Sequence, residues 1–464
     1  MKTESAPQGA TSYYEARKKV YPREIKGRFQ RLRTLAVFAL LGLYYVLPWV
    51  QWGDRQALLF DLPARKFYIF NLTFWPQDFY LMAGLLIISA VSLFFVTALA
   101  GRLWCGYACP QTVWTEVFLW MEHWTEGDRR QRMKLDKAPW GREKILRKTS
   151  KQFLWITFSI WTGFTFVGFF TPVTELGARL MTLELGPWET FWIIFYSFAT
   201  YGNAGYMREQ VCKYMCPYAR FQSAMFDRDT LVISYDSQRG ETRGSRKRGT
   251  DHKAKGLGDC IDCTLCVQVC PTGIDIRDGL QIDCIACAAC IDACDEVMDK
   301  VGYPRGLVRY TTEHALQNTP TRVLRPRVLI YASLLLALLV GFGYAISSRT
   351  PLLLDIIRDR NALYRMTNHG LIENVYTLKV MNMDTRAHRY SLEVSGLAGI
   401  HLDLDDKDIL VESGEVATLA ARVRVPENGM TGSGATITLT LQALDQADLK
   451  IVEPARFIGP APSR

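Results

Sequence analysis

Five stretches of this 464-residue chain carry no charge and are dense in apolar side chains: about 34–50, 79–100, 153–174, 190–207 and 328–348. Each runs for roughly 17–22 residues, enough to cross a hydrocarbon core of about 30 Å. Within lipid no water satisfies a backbone N–H or C=O, so such runs must be helices or parts of a closed barrel. Alternation of period two is missing from them, which leaves helices. A hydrophobic content of 49% alone would fit a soluble protein as well. Its concentration in five charge-flanked runs argues against buried helices of a soluble domain. The fourth run is thinned at its end by Gly202, Asn203 and Gly205. The first begins beyond residue 30 and "YYVLPWVQW" offers no small-residue cleavage site, so it reads as a retained helix rather than a signal peptide.

Lysine and arginine set the expected orientation. They crowd the first 33 residues, the loop with Arg129, Arg130, Arg132, Lys134, Lys137, Arg142, Lys144, Arg147, Lys148 and Lys151, and the region after the fourth run. The loops at about 51–78 and 175–189 hold only Arg55, Arg65, Lys66 and Arg179. The N-terminus is therefore expected in the cytoplasm and the C-terminus outside, the periplasm in a bacterium. The net charge of +9 is largely this bias. The basic run 239–255, with His252 in it, reads as a solvated linker near anionic head groups rather than a nucleic-acid site.

All 12 cysteines fall in patterned clusters on the side expected to be cytoplasmic. Thiols in a reducing compartment point to metal binding or catalysis rather than disulfides. "CIDCTLCVQVCP" places Cys260, Cys263, Cys266 and Cys270 at gaps of two, two and three residues, followed by Pro271. "CIACAACIDACD" repeats the spacing with Cys284, Cys287, Cys290 and Cys294. This is the bacterial dicluster ferredoxin pattern, in which the fourth ligand of each cluster comes from the other motif. Cys260, Cys263, Cys266 and Cys294 are thus expected to hold one 4Fe–4S cluster, and Cys284, Cys287, Cys290 and Cys270 the other. Zinc also takes four thiolates, but the doubled three-residue gap disfavours it. The second motif ends Cys294-Asp295 where a proline is usual; no ligand is lost. Gly273 and Gly279 suit tight turns between the motifs.

A second repeat is shorter. "WCGYACP" follows the second apolar run and "VCKYMCP" the fourth. The spacing predicts that Cys105 and Cys109 share one helix face, as do Cys212 and Cys216, with Pro110 and Pro217 loosening the helix behind them. If the helices are neighbours, the four thiols converge at one membrane face. A copper(I) site suits soft thiolates, with Met207, Met215 and Met225 as thioether candidates. A third iron–sulfur cluster suits them equally on spacing, and packed, inert thiols are the plain alternative. His123, 14 residues past Cys109, reads as an interfacial residue among Trp114, Trp120 and Trp124 rather than a ligand. His369, His388 and His401 are scattered and suggest no site.

From about 350 the pattern changes. "NVYTLKVMNM", "HRYSLEVSG" and "ATITLTLQAL" alternate with period two and are punctuated by "ESGE" and "PENGMTGSG". That predicts an antiparallel sandwich of immunoglobulin-like size, without a disulfide. It carries no catalytic constellation, "DLDDKD" reads as a solvated loop, and contact with a partner outside the membrane is its expected role.

The expected architecture is multidomain: an α-helical membrane domain of about five transmembrane helices, an inserted α+β dicluster ferredoxin, and a C-terminal all-β immunoglobulin-like sandwich. Its parts are a basic arm 1–33, a four-helix membrane domain 34–230, a basic linker 231–257, a ferredoxin domain 258–305, a connector 306–327, a fifth helix 328–348 and an outer domain 350–464. This arrangement, with "DLPARKFYIFNLTFWPQDFY" at 61–80 and "RDRNALYRMTNHGLIENVYTLKVMN" at 358–382, resembles the CcoG/FixG/RdxA family. These are accessory proteins of cbb3-type cytochrome c oxidase. The resemblance implies an inner-membrane oxidoreductase that reduces Cu(II) to Cu(I) for the oxidase copper site. It implies two 4Fe–4S clusters and copper, and partners among oxidase assembly factors, a copper transporter or a chaperone. The electron donor is left open, and metal-binding roles are implied for Cys105, Cys109, Cys212, Cys216 and the eight ferredoxin cysteines. A quinol-oxidising relay subunit without copper, and an assembly scaffold with structural or oxygen-sensing clusters, are the rival classes.

Overall fold

The computed structural model describes residues 19–460 except 54, 247–250, 252, 361, 368, 385, 406, 407 and 431. His252, Lys2, Arg17, Lys18 and part of "DLDDKD" lie outside the described residues. The chain divides into two units, one comprising residues up to Leu62 and Met82–Leu339, the other Pro63–Leu81 and Val340–Arg464.

The first unit opens with α1 (Arg28–Val46), α2 (Phe79–Ala100), the short α3 (Leu103–Tyr107), α4 (Pro110–Glu126), α5 (Arg129–Lys137), α6 (Arg142–Val167), α7 (Val173–Thr182), α8 (Pro187–Thr200) and α9 (Pro217–Met225). The stretches Arg28–Trp49, Pro76–Ala100 and Pro326–Ser347 are long and apolar enough to cross a membrane. The third and fourth apolar runs are also helical but built differently. The first turns of α6 are charged, and α8 gives way to π-helical turns at Tyr201–Met207, where Gly202, Asn203 and Gly205 lie. A wider helical turn suits residues whose missing or small side chains leave backbone groups without packing support. Gly163 of α6 faces the Ile193 carbonyl and Ser197 of α8, so the missing side chain sets how closely these helices approach. Val37 and Leu41 of α1, Val113, Val117, Phe118 and Met121 of α4, Trp155 and Ala204 form the core between helices.

The polar end of this bundle is held by buried ions. Glu122 is 1% exposed and Glu126 is fully buried. Glu122 Oε2 accepts from Arg132 Nη1 and Arg208 Nη2, each at 3.0 Å. Glu126 Oε1 lies 2.8 Å from Lys151 Nζ and 2.9 Å from Lys148 Nζ. Lys148 also reaches Asp136 of α5, which accepts from Lys19 at 2.7 Å and Tyr21 at 2.6 Å. Burial raises the Asp136 carboxyl, but hydrogen bonds from Lys148, Lys19 and Tyr21 more than offset this and hold it well below the usual carboxylate range. The described part of the basic arm is therefore a strap. Its carbonyls at Tyr21 and Pro22 accept from Arg129 and Arg132, and Arg23 N donates to the Gln268 carbonyl beside the first cysteine motif.

After α9, strand Val232–Tyr235 pairs antiparallel with Val308–Thr311, Val232 opposite Thr311. Between them lie the one-turn α10 (Ser237–Gly240), α11 (Leu265–Gln268) and α12 (Ala289–Val301); α13 (Glu313–Leu316) and α14 (Pro326–Ser347) follow. The start of the basic linker is not a free tether. Gly244 N and Arg246 Nη2 both donate to the Cys260 carbonyl, at 3.2 and 2.8 Å, and Gly258 N donates to the Thr242 carbonyl.

The second unit is an antiparallel sandwich. One sheet orders His401–Leu404, Val416–Pro426, Leu371–Asn382 and Leu352–Arg358, with Arg365–Met366 beside the third. The other orders Ile409–Val411, His388–Ser395, Gly434–Ala443 and Lys450–Ile458. Alternate residues point inward, and Tyr376, Leu378, Tyr390, Val423, Leu439, Leu441 and Phe457 fill the core. Residues 63–81 belong to this unit: Arg349 donates to the Thr73 carbonyl at 2.8 Å and pairs with Asp78, and Lys66 lies 4.9 Å from the Trp75 ring centre. His388, which suggested no role in the sequence, is 3% exposed and clamped. Its Nδ1 lies 2.8 Å from Asp445 and its Nε2 3.0 Å from Asp384. Burial lowers its pKa, but the two carboxylates outweigh burial and raise it.

Two outcomes follow. Glu122→Ala strands two buried guanidinium groups and should cost about 3–5 kcal/mol, read as a large drop in the thermal transition of the detergent-solubilised protein. For His388 the raised folded pKa means that its contribution is fully present below about 6.5 and is lost as pH rises through the folded value. Hydrogen exchange across His388–Ser395 should therefore quicken as pH rises through that window, beyond the intrinsic rate change, and His388→Gln should remove the extra dependence.

Candidate iron–sulfur and thiol centre

In each ferredoxin motif the residues on either side of the second cysteine take the left-handed conformation although none is glycine. Asp262 and Thr264 have φ of 53° and 57°, and Ala286 and Ala288 have 54° and 60°. Such residues cost on the order of 1–2 kcal/mol each and persist where the surroundings demand them. Their effect is to curl each loop around a concavity, and in the second motif the N–H groups of Ala286 and Ala289 reach the Cys284 and Cys287 sulfurs. Thr264 and Ala288 then start α11 and α12. Cys260, Cys263, Cys266 and Cys294 line one cavity. Cys270, Cys284, Cys287 and Cys290 line a second, which Cys266 also borders. Each set fits a 4Fe–4S cube, with the fourth ligand contributed by the other motif. Asp295, where a proline was expected, lies inside α12, and its carboxylate accepts from Gly306 N at 2.9 Å. A proline there would break the helix that delivers Cys294.

Burial pushes the Cys266, Cys284 and Cys294 thiols up to about 12. They are therefore neutral without metal, and loading must displace their protons. The two sites differ in access: Cys263 is exposed, while Cys287 is buried.

The membrane clauses do not lie on continuous helices, contrary to the i, i+4 expectation. Cys105 is on α3, but Cys109 is extended (φ −62°, ψ 129°) as the residue before α4. Cys212 sits in a π-helical turn, Val211–Met215, and Cys216 is extended (φ −78°, ψ 110°) before α9. Pro110 and Pro217 cause this, since a proline disfavours helical backbone in the residue before it. Both clauses nonetheless reach the second ferredoxin motif: Cys105 packs with Ile285 and Cys287, and Cys212 lines a cavity with Ile285. Burial pushes Cys105 up to about 12 and Cys212 to about 11, with Arg102 pulling both the other way.

Arg102 was not singled out in the sequence. It is buried, donates Nη2 to the Ala219 carbonyl, and keeps a buried Nε without a protein partner. It acts electrostatically on Cys105, Cys212 and Cys284 at once. Gln222 accepts from Cys105 Sγ at 3.5 Å. Met215 is 58% exposed, and His123 lies 3.4 Å from Glu24 in a cavity also lined by Arg33, Glu116 and Trp120. Among the described residues no three His, Cys, Asp or Glu side chains sit closely enough to share one ion.

Three family models match. One described as a 4Fe–4S dicluster domain covers residues 207–313, and one described as a 4Fe–4S binding domain covers 82–130, including Cys105 and Cys109. The third, the Ig-like fold at the C-terminus of FixG, covers 342–460. Nitrogen fixation protein FixG of Rhizobium meliloti is 39% identical, over 83% of this chain and 80% of that protein. Protein RdxB of Cereibacter sphaeroides is 41% identical over 85% and 86%, and protein RdxA of the same organism 38% over 94% and 95%. The chain belongs to the FixG/RdxA family of iron–sulfur electron-transfer proteins.

Proposed function

We propose that this protein is an inner-membrane cupric reductase serving assembly of cbb3-type cytochrome c oxidase. In this reading five helices cross the membrane, with the N-terminus and ferredoxin insert in the cytoplasm and the sandwich in the periplasm. A reduced one-electron carrier supplies electrons at the exposed Cys263 corner. The two 4Fe–4S clusters supply one-electron transfer when bound, held by Cys260, Cys263, Cys266 and Cys294 and by Cys270, Cys284, Cys287 and Cys290. Copper is the substrate: Cys105, Cys109, Cys212 and Cys216 take Cu(II), one electron converts it to Cu(I), and thiolate ligation favours the product. Cu(I) then passes to a transporter, chaperone or assembly factor. The observation that carries the reading is that both clauses meet the second ferredoxin motif: Cys105 packs with Ile285 and Cys287, and Cys212 lines a cavity with Ile285. The matched 4Fe–4S model over Cys105 and Cys109 favours a second reading in which these thiols hold a third cluster of an electron relay.

Metal content separates the two. Anaerobically purified parent, loaded with copper, is compared with a variant carrying Ser at 105, 109, 212 and 216. About eight irons in both, with copper and cupric reductase activity only in the parent, supports the copper reading. About twelve irons falling to about eight in the variant overturns it in favour of the relay.

A further inference from the structure

The two membrane clauses are near copies, yet their second positions differ: Gly106 in "CGYAC", Lys213 in "CKYMC". Both reach one short stretch, residues 283–286, at the start of the second ferredoxin motif. A Cβ on Gly106 would lie 2.8 Å from the carbonyl oxygens of Ile285 and Ala286 and 2.9 Å from Ala286 C. These are backbone atoms, so nothing can swing aside. The Ala286 carbonyl is also fixed by Tyr310, whose hydroxyl donates to it at 2.6 Å. Lys213 Nζ lies 3.2 Å from Asp283, the residue before Cys284. Cys105 itself packs in the cluster of Ile285, Cys287 and Ala289. The first motif offers no such seat: the residue matching Ala286 is Asp262, whose side chain is 51% exposed and paired with Arg277.

We propose that Gly106 and Lys213 are positioning residues that seat both thiol clauses on residues 283–286, making the second iron–sulfur site the outlet toward the clause thiols. This rests on the proposed role of those thiols as the electron outlet. The absent side chain of Gly106 leaves one van der Waals contact between the Cys284–Cys287 loop and the helix bearing Cys105, and the Lys213–Asp283 pair anchors the other clause. One electron leaves the second site, which is oxidised by one unit, and one Cu(II) at the thiols becomes Cu(I). No bond or proton need move, and a reduced one-electron carrier restores the electron.

The test uses the full chain in nanodiscs, with dithionite as reductant and excess removed. Reoxidation of the iron–sulfur absorbance on mixing with a Cu(II) chelate is timed, beside iron content. Gly106→Val and Lys213→Glu should retain parental iron and reoxidise several-fold more slowly. The exchanged pair Lys213→Glu with Asp283→Lys should recover most of the rate. Cd(II), a redox-silent thiophile, should shift the potential of one cluster of the parent and leave the other unmoved, with a smaller shift in Gly106→Val. Parental rates in both single variants, no recovery in the exchanged pair, or equal Cd(II) shifts of both clusters would overturn the proposal. If Gly106→Val loses iron, the Lys213 variants and the parent's Cd(II) response decide it. The proposed function fails separately, by parental reoxidation in a Cys105→Ser, Cys212→Ser variant; the Cd(II) response then still decides the seating.

Discussion

Two carboxylates on α4 hold together the segments that carry the two thiol clauses. Glu122 and Glu126 are buried side by side, one turn apart, and neither is tolerable there without cations. The cations come from three places: Arg132 on α5, Lys148 and Lys151 on α6, and Arg208 four residues before Cys212. α4 itself begins immediately after Cys109. The same ion group therefore ties the helix leaving the first clause to the segment entering the second. Trp155 completes it, with the Lys151 ammonium 4.7 Å and the Arg208 guanidinium 5.5 Å from its ring centre.

The ferredoxin insert is fastened to this frame from several sides. Asp292 of α12 accepts from the backbone N–H groups of Phe29 and Gln30 at the start of α1, at 3.2 and 2.8 Å. The carboxylate thereby satisfies donors that a helix start leaves unpaired. The strap at Arg23 adds a second tie, and the edge-on contact of Tyr310 with Phe29 of α1 a third. Such fixing has a physical use. A group that accepts and passes single electrons works best when its surroundings do not reorganise, and a buried site with fixed N–H groups and one fixed guanidinium meets that condition.

The copper reading and the third-cluster reading share this scaffold and differ only in what the four thiols hold. Burial raises the Cys105, Cys109 and Cys212 thiols, so either guest must displace protons there. The extended backbone at Cys109 and Cys216 takes each second cysteine off the helical turn that bears the first.

Much of this was legible beforehand, for a local reason. A charge-free run of about 20 residues in lipid can only be helical or barrel-forming. Two-residue gaps between cysteines fix which thiols share a loop, and period-two alternation in the tail predicts an antiparallel sandwich; the fold class follows from these. What tertiary structure decided concerns pairs far apart in the chain. Lys148 and Lys151 counted in the sequence only toward orientation, because a lysine looks the same whether it faces lipid head groups or a buried glutamate. Arg102 and the pairing of Lys213 with Asp283 carry no periodic signal, and Cys109 and Cys216 were assigned to a helix face because spacing cannot show which side of a proline break a residue takes. Periodicity and spacing encode the path of the backbone over a few turns; which distant side chains then meet is set by packing, and only the folded chain supplies it.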